Sequence, residues 1–206
     1  MDSKRSIGVV LFHEFELLDV FGPLELYGLL PEHFVIHLIA EKLAHIQSTQ
    51  GPKSVAEKSF ADDDQYDILL VPGGRGTRIQ INNPVLLDWL KHQSANAEYV
   101  TSVCTGSALL AKAGLLDKIH ATTNKMAFEW VSAQGPNVIC EKKARWVEDG
   151  RFFTSSGVSA GMDMFLTLIA KTQGQEIAEQ VATWAEYEWH QDPKWDPFAK
   201  IHGLVN

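Results

Sequence analysis

The sequence predicts an α/β fold, a single-domain sandwich with a mostly parallel central sheet flanked by helices. Three observations predict it. Short apolar segments (Ser6–Phe12, Phe34–Ala40, Asp67–Val71 and Tyr99–Val103) alternate with helical patterns long enough to cross back over a sheet. Several strands end at turns built from glycine and small residues, as at Pro72-Gly73-Gly74 and Thr105-Gly106-Ser107. The 206 residues are enough for one full core without disulfide or metal staples.

Taken in order, Ser6–Phe12 is the expected first strand. Leu17–Leu30 has helical periodicity that Gly22-Pro23 is expected to break early. Phe34–Ala40 alternates as a second strand, and Gln47–Phe60, polar around Gly51-Pro52, reads as a hairpin excursion. Asp67–Val71 is a buried strand stopped by Pro72-Gly73-Gly74. Pro84–Ala97 is helical, with Asn82 or Asn83 as its cap. The next strand runs into Cys104 and a helix that ends at Gly114. Ala121–Asn124 leads into a helix over Lys125–Gln134, and Val138–Glu148 pairs with Arg151–Thr154 around Asp149-Gly150. Helices over Ser159–Thr172 and Gln175–Trp189 close a domain of residues 1–189. Residues 190–206, rich in Pro, Trp and charge, are a C-terminal extension of that domain. They are expected either to lie over it or a partner subunit, or to be a loosely ordered end.

Composition excludes several function classes. A net charge of −8 without a basic stripe argues against nucleic-acid binding. No stretch approaches the length of a membrane span, and the N-terminus MDSKRSIGVVLFHEF reads as a first strand rather than a signal peptide. Two cysteines, Cys104 and Cys140, make no disulfide framework and suggest reduced thiols in the cytoplasm. The eight histidines lack metal-ligand spacing, so a zinc site is not expected.

The segment EYVTSVCTGSALLAKAGLL reads as strand, sharp turn, helix, with Cys104 at the corner. Such a turn holds a side chain out over the sheet edge. A helix N-terminus, with its unpaired N–H groups, favours thiolate over thiol and so prepares a nucleophile. A buried cysteine acting as a small hydrophobe is the bland alternative, against which the Thr-Gly-Ser run speaks.

In an open α/β sheet, ligands sit outside the carboxyl ends of the strands. The loops Phe12–Asp19, Pro72–Thr77 and Cys104–Ser107 should meet there. The Gly73 and Gly74 amides are expected to stabilise negative charge developing beside the sulfur. Asp19, flanked by Leu17, Leu18, Val20 and Phe21, would be desolvated there, with a raised pKa suited to donating a proton. Its alternative role is a helix N-cap.

The chain resembles the DJ-1/PfpI superfamily, a flavodoxin-like fold, and within it the isocyanide hydratase-like branch. The resemblance rests on IGVVLFHEFELLDVFGPLE, ILLVPGGRGT, YVTSVCTGSALLAKAGLL, ATTN and FFTSSGVSAGMD, and it covers nearly the whole chain. It implies Cys104 as nucleophile, Asp19 as catalytic acid, Thr105 as its neighbour, and Gly73 and Gly74 as the oxyanion loop. It also implies a homodimer with a small-molecule substrate. Relatives usually carry a histidine after ATT, where this chain has Asn124. An asparagine cannot act as a general base, so peptide hydrolysis is not expected, and His120 is expected to be structural.

The leading expectation is therefore a lyase that hydrates isocyanides. A redox-responsive cysteine protein with little catalysis is the alternative from another class, because an exposed low-pKa thiol oxidises readily. A glyoxalase- or deglycase-like activity is the third, weakened by Asn124.

Overall fold

The computed structural model describes residues 4–206. β1 (Arg5–Val10) leads through α1 (Leu17–Gly28) to β2 (Phe34–Ala40), then to a small hairpin of β3 (His45–Gln47) and β4 (Lys53–Val55). β5 (Lys58–Ser59), β6 (Ile68–Val71), α2 (Thr77–Gln80), α3 (Pro84–Asn96), β7 (Tyr99–Ser102) and α4 (Gly106–Lys112) follow. β8 (His120–Ala121), α5 (Phe128–Ser132), β9 (Ile139–Cys140), β10 (Trp146–Asp149) and β11 (Phe152–Ser155) come next, and α6 (Ala160–Gln173), α7 (Gln175–Trp184) and α8 (Phe198–Ile201) close the chain.

Seven strands form the main sheet in the order β10-β11-β7-β6-β1-β2-β5, parallel except for the β10–β11 hairpin. Every residue of β6 and β11 is buried, as expected of strands covered on both faces. α1 packs on α6 and α6 on α7, while α4 packs against α2, α3 and α5. Ile7, Leu69, Leu70, Phe153 and Phe165 are among the fully buried side chains between these layers.

β1 lies between β2 and β6, so the chain leaves β1 toward one edge and later returns to fill the other. That reversal opens a crevice at the carboxyl ends of β1 and β6, where α/β sheets bind ligands. Strand β2 matches its expected span, and Asn83 caps α3 by accepting from the Val85 and Leu86 amides at 3.1 and 3.4 Å.

Four elements depart from expectation. α1 runs through Gly22-Pro23 unbroken. A proline inside a helix costs about 3 kcal/mol; here Val20, Leu26 and Tyr27 are buried on the same helix, and that packing offsets it. α5 is shorter than Lys125–Gln134 because the Asn124 carboxamide accepts from Ala127 N at 3.1 Å and holds the preceding residues in a turn. Val138–Glu148 is not one strand: β9 pairs with β8 in a separate ribbon, and β10 joins the main sheet. α7 stops at Trp184 rather than Trp189, because Glu186 takes a positive φ of 47° and the chain turns inward.

Candidate active site

The three loops expected to converge do so at the ends of β1, β6 and β7. Val103 N donates to Val71 O at 3.1 Å, Glu16 N to Gly73 O at 2.8 Å, and Gly76 N to Glu14 O at 3.1 Å. These bonds lace the first two loops together and fix the third against them.

Cys104 occupies the corner with φ 57°, a left-handed conformation that is strained for a residue with a Cβ. The close approach behind it requires glycine at two places. A Cβ on Gly106 would lie 2.1 Å from Val71 O, and one on Gly73 would lie 2.6 Å from Thr105 N. The Cys104 N–H donates to Ser156 O at 3.0 Å, and its carbonyl accepts the Thr123 and Ser107 hydroxyls at 2.8 and 3.2 Å.

The expectation of an exposed, acidified thiol is not met. Cys104 is 7% exposed, and burial pushes its thiol well above the usual cysteine range. A charge on Asp19 pushes the same way, while the backbone N–H groups of Thr105 and Val158 oppose it. The turn does place amides on the sulfur, but desolvation outweighs them. Cys140 is half-buried, and its thiol is raised by burial as well.

Asp19 is fully buried within the first turn of α1 and does not cap that helix. Its Oδ2 instead accepts the Gly73 N–H at 2.8 Å. Burial raises its carboxyl well above the ordinary range. The Gly73 amide and the Cys104 side chain pull it back, and a charge on half-buried Glu16 adds to the rise. Oδ1 has no hydrogen-bond partner among the described residues. With Oδ2 held by an N–H donor, Oδ1 is the oxygen left free to carry a proton when the carboxyl is neutral.

Thr105 Oγ1 accepts the Gly74 N–H at 3.1 Å and lies 3.2 Å from the buried Thr77 hydroxyl. The expected oxyanion loop is thereby corrected. Both of its amides are already engaged, Gly73 with Asp19 and Gly74 with Thr105, so they orient side chains rather than face open space. The N–H groups that reach the sulfur belong to Thr105 and Val158.

Sequence reasoning missed Val158, Ser156, Thr123 and Thr77. Val158 has φ 41°, at the turn between β11 and α6. The run Ser155-Ser156-Gly157-Val158-Ser159 between strand and helix repeats the pattern of the Cys104 turn and could have signalled it. Asn124 packs beside this turn, its Nδ2 lying 2.6 Å from where a Cβ on Gly157 would stand. His120 is exposed and pairs with Glu141 at 2.8 Å, so it takes no part. No group of three His, Cys, Asp or Glu among the described residues is placed to hold a metal ion, and no helix there is long and apolar enough to cross a membrane.

Comparison with known proteins places these features in context. The family model "DJ-1/PfpI family" matches residues 5–171. Isonitrile hydratase of Pseudomonas putida is 36% identical over 182 residues, covering 88% of this chain and 78% of that protein. The transcriptional regulator GbdR of Pseudomonas aeruginosa is 26% identical over 191 residues, which are 90% of this chain, and the match covers only 52% of the regulator. The crystal structure of a ThiJ/PfpI family protein from Pseudomonas syringae superposes with a TM-score of 0.84 at 29% identity, covering 94% of this chain and 78% of that one.

Proposed function

This chain belongs to the DJ-1/PfpI family, within it to the isocyanide hydratase-like branch, and we propose that it adds water to an isocyanide to give an N-substituted formamide, with Cys104 as nucleophile. The observation that carries the reading is the buried pair of Asp19 and Cys104. The carboxyl is held by Gly73 through one oxygen, has its other oxygen unpartnered, and sits beside the sulfur.

Burial pushes both groups toward their neutral forms. A neutral acid next to a neutral thiol suits an uncharged substrate, because no net charge has to be created in a dry site. The sulfur bonds to the terminal isocyanide carbon while the Asp19 proton passes to that carbon and the thiol proton returns to Asp19. The product of this step is a thioimidate, S–CH=N–R. Water then adds across the C=N bond, its oxygen to carbon and a proton to nitrogen. Cleavage of the carbon–sulfur bond with loss of the hydroxyl proton gives the formamide and restores the thiol. Thr105 and Val158 supply N–H groups at the sulfur, and the Thr105 hydroxyl, fixed by Gly74 and Thr77, orients the substrate. No metal or organic cofactor enters this sequence.

A homodimer in the cytoplasm, acting on a small molecule and not on nucleic acid or membrane, completes the proposal. Leu18 and Phe21, on either side of Asp19 in sequence, are 42% and 39% exposed, which supports a subunit boundary near the site. The reading is tested by incubating purified protein with a simple aryl or alkyl isocyanide and identifying the product. Formamide formed by the wild type and not by Cys104→Ser is expected. No turnover with either class of isocyanide would exclude it.

A further inference from the structure

Both peptide groups of Cys104 are held from outside its own turn, which is how a strained residue is kept in place. The Cys104 N–H donates to Ser156 O at 3.0 Å, and the Thr123 hydroxyl donates to Cys104 O at 2.8 Å. Ser156 is in turn bonded to the C-terminal tail through Arg145, and Thr123 lies in a segment that the tail anchors.

On the first side, Ser156 N donates to Arg145 O at 2.7 Å, and Arg145 N donates to Pro193 O at 2.7 Å. This is a ladder of three backbone bonds from the tail to the elbow. The Arg145 guanidinium is locked by Asp163, with Nε 2.6 Å from Oδ2, and lies 5.2 Å from the Trp195 ring centroid. Asp163 Oδ1 also accepts from Tyr187 Oη and His190 N, which fixes where the tail begins. On the second side, Lys125 stands two residues after Thr123 with its ammonium inside the protein. It donates to Thr122 Oγ1 at 2.6 Å and Ala144 O at 2.7 Å, and lies 3.4 Å from Asp196 Oδ2. Both side chains are almost wholly buried. Breaking one half of a buried ion pair is strongly destabilising, so the Lys125–Asp196 pair fastens the tail to the loop before α5, while Arg145–Asp163 fixes the loop before β10 against α6.

We propose that His190–Asp196 is a positioning strap for the Cys104 elbow. It holds the Cys104 N–H through Pro193, Arg145 and Ser156, and through Asp196 and Lys125 it anchors the Thr122–Lys125 segment whose Thr123 hydroxyl holds the Cys104 carbonyl. Lys125, Arg145 and Asp196 are thus positioning residues for the sulfur, although none of them touches it. The proposal rests on Cys104 being the nucleophile, but its test reads the thiol itself and not isocyanide turnover, so the two readings fail separately.

The test uses the Cys140→Ser protein, in which Cys104 is the single thiol. Asp196→Asn keeps the oxygen that caps α8, through Phe198 N at 2.9 Å, and removes the charge that faces Lys125. Well below the melting temperature, alkylation of Cys104 by iodoacetamide is expected to quicken at least about tenfold, the change in thiolate fraction worth one pKa unit. Its pH profile should move down as the sulfur is released from burial. The double variant Lys125→Gln/Asp196→Asn, which can restore a neutral hydrogen bond, should return the profile toward wild type. A folded Asp196→Asn protein whose profile superimposes on wild type overturns the strap. Should Asp196→Asn not fold, native-state hydrogen exchange on the wild type decides. The amides of Cys104, Ser156 and Arg145 should exchange through one common opening. A Cys104 amide that stays protected while Arg145 exchanges through a smaller opening overturns the proposal.

Discussion

Gly73 donates its backbone N–H to Asp19 Oδ2 at 2.8 Å, joining the turn after β6 to the first turn of α1. One contact thus decides two questions at once. It removes Asp19 from the capping role its position in the helix allows, and it removes the Gly73 amide from the set of free oxyanion donors. The carboxyl is fixed in orientation while burial favours its protonated form, the two properties that the proposed role of general acid requires.

Asp19→Asn keeps the shape of the side chain and an oxygen to accept from Gly73, but has no transferable proton. Turnover of an isocyanide should fall by at least roughly a hundredfold, the scale of losing a general acid. Stability should move the other way. The folded pKa lies above the ordinary 3.8, so the stability tied to the neutral carboxyl is fully present below 3.8 and is lost as pH rises through the folded value. The asparagine does not titrate. Its melting temperature relative to wild type should therefore climb between pH 4 and pH 7. Near-normal turnover would remove Asp19 from the mechanism, and a lowered melting temperature with proportionate loss of activity would make it structural.

Gly73→Ala should be more damaging than a loop glycine usually is. The added methyl would meet Thr105 N at 2.6 Å and the Cys104 Cβ at 2.9 Å, and the backbone atom has little room to give. A loss of about 1–3 kcal/mol, the range for overpacking, is expected in urea unfolding. Activity should drop further than stability explains, because Asp19 and Thr105 both hang on this turn. Wild-type stability together with wild-type turnover would show that the turn adjusts freely.

Peptidase activity should be negligible. Amide cleavage needs a proton delivered to the leaving amine, and Asn124 spends its side-chain oxygen on Ala127 N. Casein hydrolysis that disappears in Cys104→Ser would refute this.

The site was legible where a residue broke its local pattern. An acid among Leu17, Leu18, Val20 and Phe21 stands out, as does a cysteine followed by Thr-Gly-Ser between a strand and a helix. Asp163, inside Gly161-Met162-Asp163-Met164-Phe165, breaks the pattern in the same way but drew no notice, although it anchors Arg145 and the start of the tail. Lys125 and Asp196 carry no local signal, because a charge is ordinary in a polar stretch until a partner 71 residues away buries it. α5 and α7 were expected too long as well. Periodicity does not register the local turn that the Asn124 side chain makes with Ala127 N before α5, nor the tertiary bond by which Asp163 takes Tyr187 beyond the end of α7. The burial of Cys104 was not legible, because the N–H groups at a turn can be read from a sequence and the depth of burial cannot.

That depth gives the last prediction. In the Cys140→Ser protein, Cys104 should react with iodoacetamide more slowly when folded than when unfolded in urea, at every pH from 6 to 10, because burial both shields the sulfur and disfavours its thiolate. The same shift bears on stability. The folded thiol is raised, so its contribution is fully present below the unfolded thiol pKa of about 8.5 and is lost as pH rises through the folded value. Cys104→Ala has no such group, and its stability should fall less between pH 8 and pH 10 than that of wild type. Other groups titrate in this window. Burial lowers Lys125 to about 8, which makes stability rise with pH, but Lys125 is common to both proteins and cancels in the difference. Parallel pH–stability curves for the two proteins, or a folded thiol that outpaces the unfolded one, would mean that the amides of Thr105 and Val158 outweigh desolvation, and the site would then work from a preformed thiolate.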